Sequence, residues 1–307
     1  MPVGYQSYNA TDKRESLLSI LKDVSPNVDN YFVTNLKTAP AATNTLHEWG
    51  TYNTARPTSF TAVIEGADPT YTDNTGPTRT ANVTAIVSEP VMVSGTMQSI
   101  STITGEDPLA FQKSEALKRL KAKMEWATIN GVLATGSSGV GRQLLGFDGM
   151  ISTNVTGLAS GASFTETELN NILQDSYDQV GSEYIADLLV CPMVIKRRVS
   201  SFNTLNTRVV SATDKKLDAE VRVYDAQVGQ TVMIIPHKDV RAAAGTLTVY
   251  ALREETWAHA FLKGREPEWQ ELAMTGDAKR GQYITEFTVV GFAQRASAKR
   301  TGYNTGL

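Results

Sequence analysis

Residues 107–130, DPLAFQKSEALKRLKAKMEWATIN, form the stretch with the plainest helical grammar in the chain. Asp107 is a suitable N-cap, Pro108 fits the first helical position, and Glu106 places negative charge where the macrodipole favours it. Leu117, Leu120, Met124 and Ala127 recur at helical spacing and give one apolar stripe. Lys113, Lys118, Arg119, Lys121 and Lys123 cover the rest, and Glu115 is spaced to pair with Arg119. At 1.5 Å per residue such a helix is about 35 Å long, enough to tie distant parts of a domain together. None of its residues forms a catalytic pattern.

Upstream, residues 1–12 are small and polar. A short helix then carries Leu17, Leu18 and Leu21, capped by Thr11 or Asp12 and ended by Ser25-Pro26. A second apolar patch follows at Tyr31, Phe32, Val33 and Leu36, so residues 1–44 read as an extended arm with helical pieces. Over 45–100 the grammar is that of strands. TLHEWGTYN alternates, SFTAVIEG and NVTAIVSEPVMVSG are rich in β-branched residues, and GADPTYTDNTGPT between them is dense in turn formers. This predicts a long two-stranded excursion with a polar tip. Two strands alone cannot bury a face, so a partner must supply one, unless the strands belong to a β-sandwich.

Downstream, two glycine-rich stretches, GVLATGSSGVG and GFDGMISTNVTGLASGAS, read as loops and mark a boundary near residue 145. TETELNNILQDSYDQVG opens with a capping box, Thr165 with Glu168, and sets Leu169, Ile172, Leu173, Tyr177 and Val180 on one face. Strand ADLLVCP, basic helix VIKRRVSSFN, and strands EVRVYDAQ and QTVMIIPH complete an α/β unit of ordinary domain size. The remainder alternates as strands and ends in an apolar one over 285–292.

With 307 residues, 41% of them hydrophobic, the chain has material for a large core. A net charge of -3 argues against nucleic-acid binding by bulk charge. The single cysteine, Cys191, excludes an intrachain disulfide framework, and its LLVCPM setting makes it a buried hydrophobe. No run approaches the ~18 apolar residues of a membrane helix, and the N-terminus lacks signal-peptide layout, which predicts a soluble protein retained where it is made.

Catalytic and cofactor patterns fail on spacing. GSSGVGRQ at 136–143 is a near miss to a phosphate-cradling loop, with Arg142 for the lysine and Gln143 for the hydroxyl. His47, His237 and His259 are scattered and read as structural residues at surfaces or sheet edges. No serine elbow is present, and Glu254-Glu255 and Glu266-Glu268 read as solvated or interfacial. Lys196-Arg197-Arg198 and Lys215-Lys216 read as a solvated face or as salt-bridge partners, and the four tryptophans as packing anchors. The expectation is therefore no enzyme, with no catalytic, cofactor-binding or metal site.

Several strings, taken in order, carry a resemblance: RESLL at 14–18, TLHEW at 45–49, EGAD at 65–68, PTR at 77–79, VSGT at 93–96 and LAMTGDAKRGQYITEFTV at 272–289. Together they resemble the major capsid proteins of tailed bacteriophages with the HK97 fold, and most closely the SU10-type major head protein family. The resemblance implies an α+β fold with an N-terminal arm (1–44), an E-loop β-hairpin (45–100) and a peripheral domain with its spine helix (101–145). An axial domain (146–245) and peripheral return strands with a C-terminal tail (246–307) follow. It implies a structural protein of the virion capsid, self-assembling in the bacterial host cytoplasm into hexamers and pentamers of an icosahedral shell around double-stranded DNA. The E-loop would lie across a neighbouring subunit, with Glu65, Asp68 and Arg79 near the tip meeting partners such as Lys279 and Arg280. Other implied partners are a portal protein and, where used, a scaffolding and a decoration protein. The chain begins MPVGYQ without a long charged helical prefix, which points to a separate scaffold or to the short arm sufficing. Rival readings are an encapsulin-like compartment shell with the same fold, an α/β hydrolase or nucleotide-binding enzyme, and a β-rich adhesin.

Overall fold

A computed structural model describes residues 30–53, 57–69, 71, 76–100, 107–202, 223–226, 229–240, 242–243, 246–274 and 276–304. The expected helix around Leu17 and Leu21, Glu106 and the Lys215-Lys216 pair lie outside the described residues.

In chain order the elements are α1 (Tyr31–Asn35), β1 (Lys37–Thr38), β2 (Leu46–Thr51), β3 (Thr78–Val83), β4 (Ala85–Ser94), α2 (Gly95–Ser99), α3 (Pro108–Asn130), α4 (Phe147–Met150) and β5 (Val155–Ala162). Then come α5 (Glu166–Val180), β6 (Leu188–Cys191), α6 (Met193–Phe202), β7 (Val223–Asp225), β8 (Thr231–Pro236), β9 (Ala242–Ala243) and β10 (Thr246–Leu252). β11 (Trp257–Phe261), β12 (Glu268–Leu272), β13 (Ala278–Gly291) and β14 (Ala298–Tyr303) end the described chain.

The long helix forms as its caps dictate: the Asp107 side chain accepts the Leu109 N–H, and Pro108 opens the first turn. Leu120 and Met124 are buried on its apolar side, while Leu117 and Ala127 are only partly so. Glu115 bonds Lys118 rather than the expected Arg119, because Glu89 on β4 takes both Arg119 and Lys123. Burial works against the charge on Glu89, but these two cations hold its carboxyl below the ordinary value.

β13 organises the first sheet. β4 runs along one edge, and β11 followed by β12 runs antiparallel along the other, with β1 parallel outside β11. α3 packs on one face through Ala116 and Leu109, against Val91, Val93, Trp269 and Tyr283. Gly281 is required there: a β-carbon on it would lie 2.1 Å from the Trp269 ring.

The second sheet runs β5-β14-β10-β6-β8-β7, with β9 on β10. LLVC of β6 is buried throughout because it is covered on both sides. Leu189 and Cys191 join the core under α5 and α6, whereas Leu188 and Val190 join the core shared with α3 and the first sheet. Cys191 is a buried free thiol whose pKa burial pushes up to about 12.

Two expectations are corrected. The glycine-rich stretch after residue 145 is not a loop: it holds α4 and β5, and β14 supplies the parallel ladder that β5 needs. SFTAVIEG makes no strand, since no strand pairs with it. The C-terminal strands divide between the sheets: β11, β12 and β13 belong to the first, and β10 and β14 pair beside β6 and β5 in the second.

Candidate intersubunit surfaces

The excursion over 45–100 is rooted firmly and open at its end. β2 and β3 pair in register from Leu46↔Val83 to Thr51↔Thr78. At the root, buried Trp49 donates its indole N–H to the Gly291 carbonyl. Asn82, fully buried, donates to the carbonyls of Leu145 and Val289 and accepts the Leu145 N–H. Thr84 donates to buried Glu286, which also pairs with Arg142 at 2.7 Å and with Arg265 at 3.6 Å.

Beyond the ladder, every residue of 57–69 is exposed. Phe60 is 91% exposed, Ile64 82% and Tyr71 90%. A turn closes with the Ala67 N–H on the Ile64 carbonyl, and Gly66 holds φ +81°, a left-handed value that a β-carbon disfavours. Large apolar side chains in open water at this density mark an interaction surface.

The structure places the expected contact residues as follows. Glu65 and Asp68 lie in the exposed tip, and among the described residues neither makes an ion pair. Arg79 sits at the ladder end and pairs across it with Glu48 at 3.7 Å, both exposed. Lys279 and Arg280 are consecutive on β13 and so point to opposite faces. Lys279 pairs with Val93 on the helix side, whereas Arg280 pairs with Met92 and Leu272 on the open side. One tip cannot meet both from the same face.

The arm over 1–44, expected to extend, is in its described part bound to its own chain. Phe32, Leu36, Ala39 and Ala42 are buried, and residues 37–42 run beside β11. Glu125 of α3 clasps α1: its two carboxylate oxygens accept the Phe32 and Val33 N–H groups, each at 2.8 Å. His237 Nδ1 accepts the Asp239 N–H, so its proton is on Nε2 and is donated to Glu125 at 3.0 Å. This largely buried node is not legible in the sequence, because its parts lie about a hundred residues apart and no spacing rule joins them.

The remaining sequence candidates have structural partners. Arg142 of the phosphate-loop near miss reaches Glu286, and its stretch is a short hairpin closed by Ala134↔Gln143 and Ser137↔Val140. His237 and His259 are buried rather than at surfaces; Thr128 donates to the Met124 carbonyl and therefore accepts from His259 Nε2 at 2.9 Å. Burial lowers the His259 pKa to about 4. Lys196 of the basic run is also buried, and Arg198 bonds Asn304, so this is not simply a solvated face. Glu254 accepts the Tyr31 hydroxyl, and Glu255 pairs with Lys37 and Arg253. Trp49 and Trp257 anchor packing, but Trp126 is about half exposed.

Among the described residues, a buried block thus carries a rooted projection with an exposed, partly apolar tip. The SU10 major capsid protein family model matches residues 3–304, and the chain belongs to that family. It is a structural protein of a phage capsid shell, built from multiple copies. Among solved structures it is similar to the cyanophage A-1(L) capsid subunit, with 14% identity, TM-score 0.65, and 98% of this chain and 99% of that one covered. The bacteriophage PhiM1 mature capsid subunit gives 10% identity and TM-score 0.62 over 99% of this chain and 95% of that one. The SrpI encapsulin of Synechococcus elongatus gives 13% identity and TM-score 0.60 over 96% and 94%. These likenesses establish the HK97-like fold. No curated protein sequence matches.

Proposed function

We propose that the chain assembles into hexamers and pentamers of an icosahedral shell enclosing double-stranded DNA, held by tips laid over neighbouring subunits. In this reading residues 45–100 are the E-loop, 101–145 carry the spine helix, 146–245 form the axial domain, and 246–307 the return strands and tail. The carrying observation is the tip: residues 57–69 are wholly exposed on a root that is locked by Trp49, Asn82 and Thr84. Cover from another copy would bury Phe60, Val63 and Ile64, which stand exposed here. Each such contact is weak alone, but repetition around a closed shell makes the sum strong. Glu65, Asp68 and Arg79 are the contact residues at the tip and its base, with Arg280 as a counterpart on the open side of β13. A portal protein at one vertex and a separate scaffold during assembly belong to the same reading.

Deleting residues 57–78, which removes Phe60, Val63 and Ile64 together with the turn, tests it. The expected product is a folded, soluble subunit that forms no shells; normal particles from the deletion would overturn the reading. The similarity to an encapsulin supports a second reading, a compartment shell around protein cargo. Particles from the native source separate the two by content, double-stranded DNA for the first and protein for the second.

A further inference from the structure

We propose that Asn130–Gly131, at the C-terminal end of α3, is a deamidation site that the fold keeps shut and that opening of this helix end exposes. It is the only Asn-Gly step in the sequence. Asparagine before glycine is the pair in which this reaction meets least hindrance, because no side chain shields the following backbone nitrogen. The fold nevertheless requires the glycine: a β-carbon on Gly131 would lie 2.5 Å from the Ala127 carbonyl oxygen and 2.6 Å from that of Leu144. Asn130 has its own structural task. Buried in the last turn of α3, it ties the helix to the turn after β8 by donating from Nδ2 to the Asp239 carbonyl at 2.7 Å.

In the reaction the Gly131 nitrogen, stripped of its proton, attacks Cγ of Asn130. The new N–Cγ bond closes a succinimide, the Cγ–Nδ2 bond breaks, and the side-chain amide leaves as ammonia. Water then opens the ring to aspartate or isoaspartate. The folded chain opposes each stage. Its Gly131 N–H is committed to the Ala127 carbonyl at 2.9 Å. Asn130 Oδ1, where negative charge grows as the ring closes, is buried and no described residue donates to it. The departing Nδ2 is held by Asp239. An unfolded chain has none of these restraints, since water donates to Oδ1 and the backbone turns freely. The product does not fit back. A carboxylate at position 130 sets oxygen against the Asp239 carbonyl and buries a charge. Isoaspartate also adds a carbon to the main chain beside Gly131, whose carbonyl is fixed by the Gly146 N–H at 2.9 Å. Chains that stay open are thereby marked and kept from returning, a one-way loss through chemical modification of the unfolded state.

Trypsin isolates the site in one peptide, 124–142, which contains no other asparagine. Protein held in urea at mildly alkaline pH should convert this peptide to its aspartate and isoaspartate forms, read by mass and by isoaspartyl methyltransferase labelling. Conversion should quicken as pH rises, because the Gly131 nitrogen must lose its proton. Opening of a buried helix end is rare in a stable domain, so protein in the same buffer without urea should convert slower by about a hundredfold or more. Equal rates with and without urea would overturn the lock, and an unchanged peptide in urea would overturn the site. Asn130→Gln, compared in urea where folding plays no part, should slow conversion sharply because glutamine closes a larger ring; an unchanged rate would overturn the assignment. Asn130→Asp makes one product directly. It should unfold at a lower urea concentration than the unsubstituted subunit or fail to fold, and an equal midpoint would overturn the one-way step. None of these measurements needs a shell, so their outcome is independent of the assembly reading.

Discussion

Three buried polar side chains hold this subunit at points where a hydrophobic residue would have sufficed for packing alone. Glu125 satisfies two N–H groups of α1 and the Nε2 proton of His237, so Glu125→Ala takes their acceptor from two buried donors and one half-buried one. At 1–3 kcal/mol for each unsatisfied group, the unassembled subunit should lose about 3 kcal/mol or more, read from denaturant unfolding, with faster amide exchange at Phe32 and Val33. His259 makes a pH prediction. Its folded value of about 4 lies below the 6.5 of an exposed histidine, so the unfolded chain binds the extra proton first. The neutral ring's contribution is therefore complete above pH 6.5 and lost progressively as pH falls toward 4. The full loss is on the order of 3 kcal/mol. His259→Gln should flatten stability between those pH values; an unchanged slope would show that another group sets it.

At the scale of elements, β13 and the two faces it presents decide the architecture. Gly281 lets the Trp269 ring lie on the strand, with Lys113 stacked over that ring at 4.3 Å. Gly281→Ala should displace the indole, cost about 1–3 kcal/mol and shift the tryptophan fluorescence. Helices were the legible part of the sequence, because their caps are local: Asp107 and Thr165 stand where their side-chain bonds form. Strands were legible only where a partner could be guessed. SFTAVIEG has the β-branched content of a strand but no ladder, while glycine-rich VTGLASGA becomes β5 because β14, over a hundred residues later, pairs with it. The tip was legible as a polar, turn-rich excursion; its exposed Phe60 and Ile64 and its fixed root were not. The opposite facing of Lys279 and Arg280 is a period-2 consequence once 278–291 is known to be one strand.

For the whole molecule, the second sheet buries both faces, one under α5 and α6 and one against the core shared with α3 and β13, which makes the subunit a single block. The exposed apolar residues of the tip then project from a firm base, as assembly by many repeated contacts requires. The chain's mild negative charge fits the proposed role of a wall that surrounds DNA without adhering to it. The most direct test is negative-stain electron microscopy of the purified protein at several concentrations, with sizing by light scattering. A shell-forming subunit gives closed shells or hexamer-sized rings that grow with concentration. A strict monomer at every concentration, persisting when the protein is co-expressed with the genes that flank its own, would contradict it.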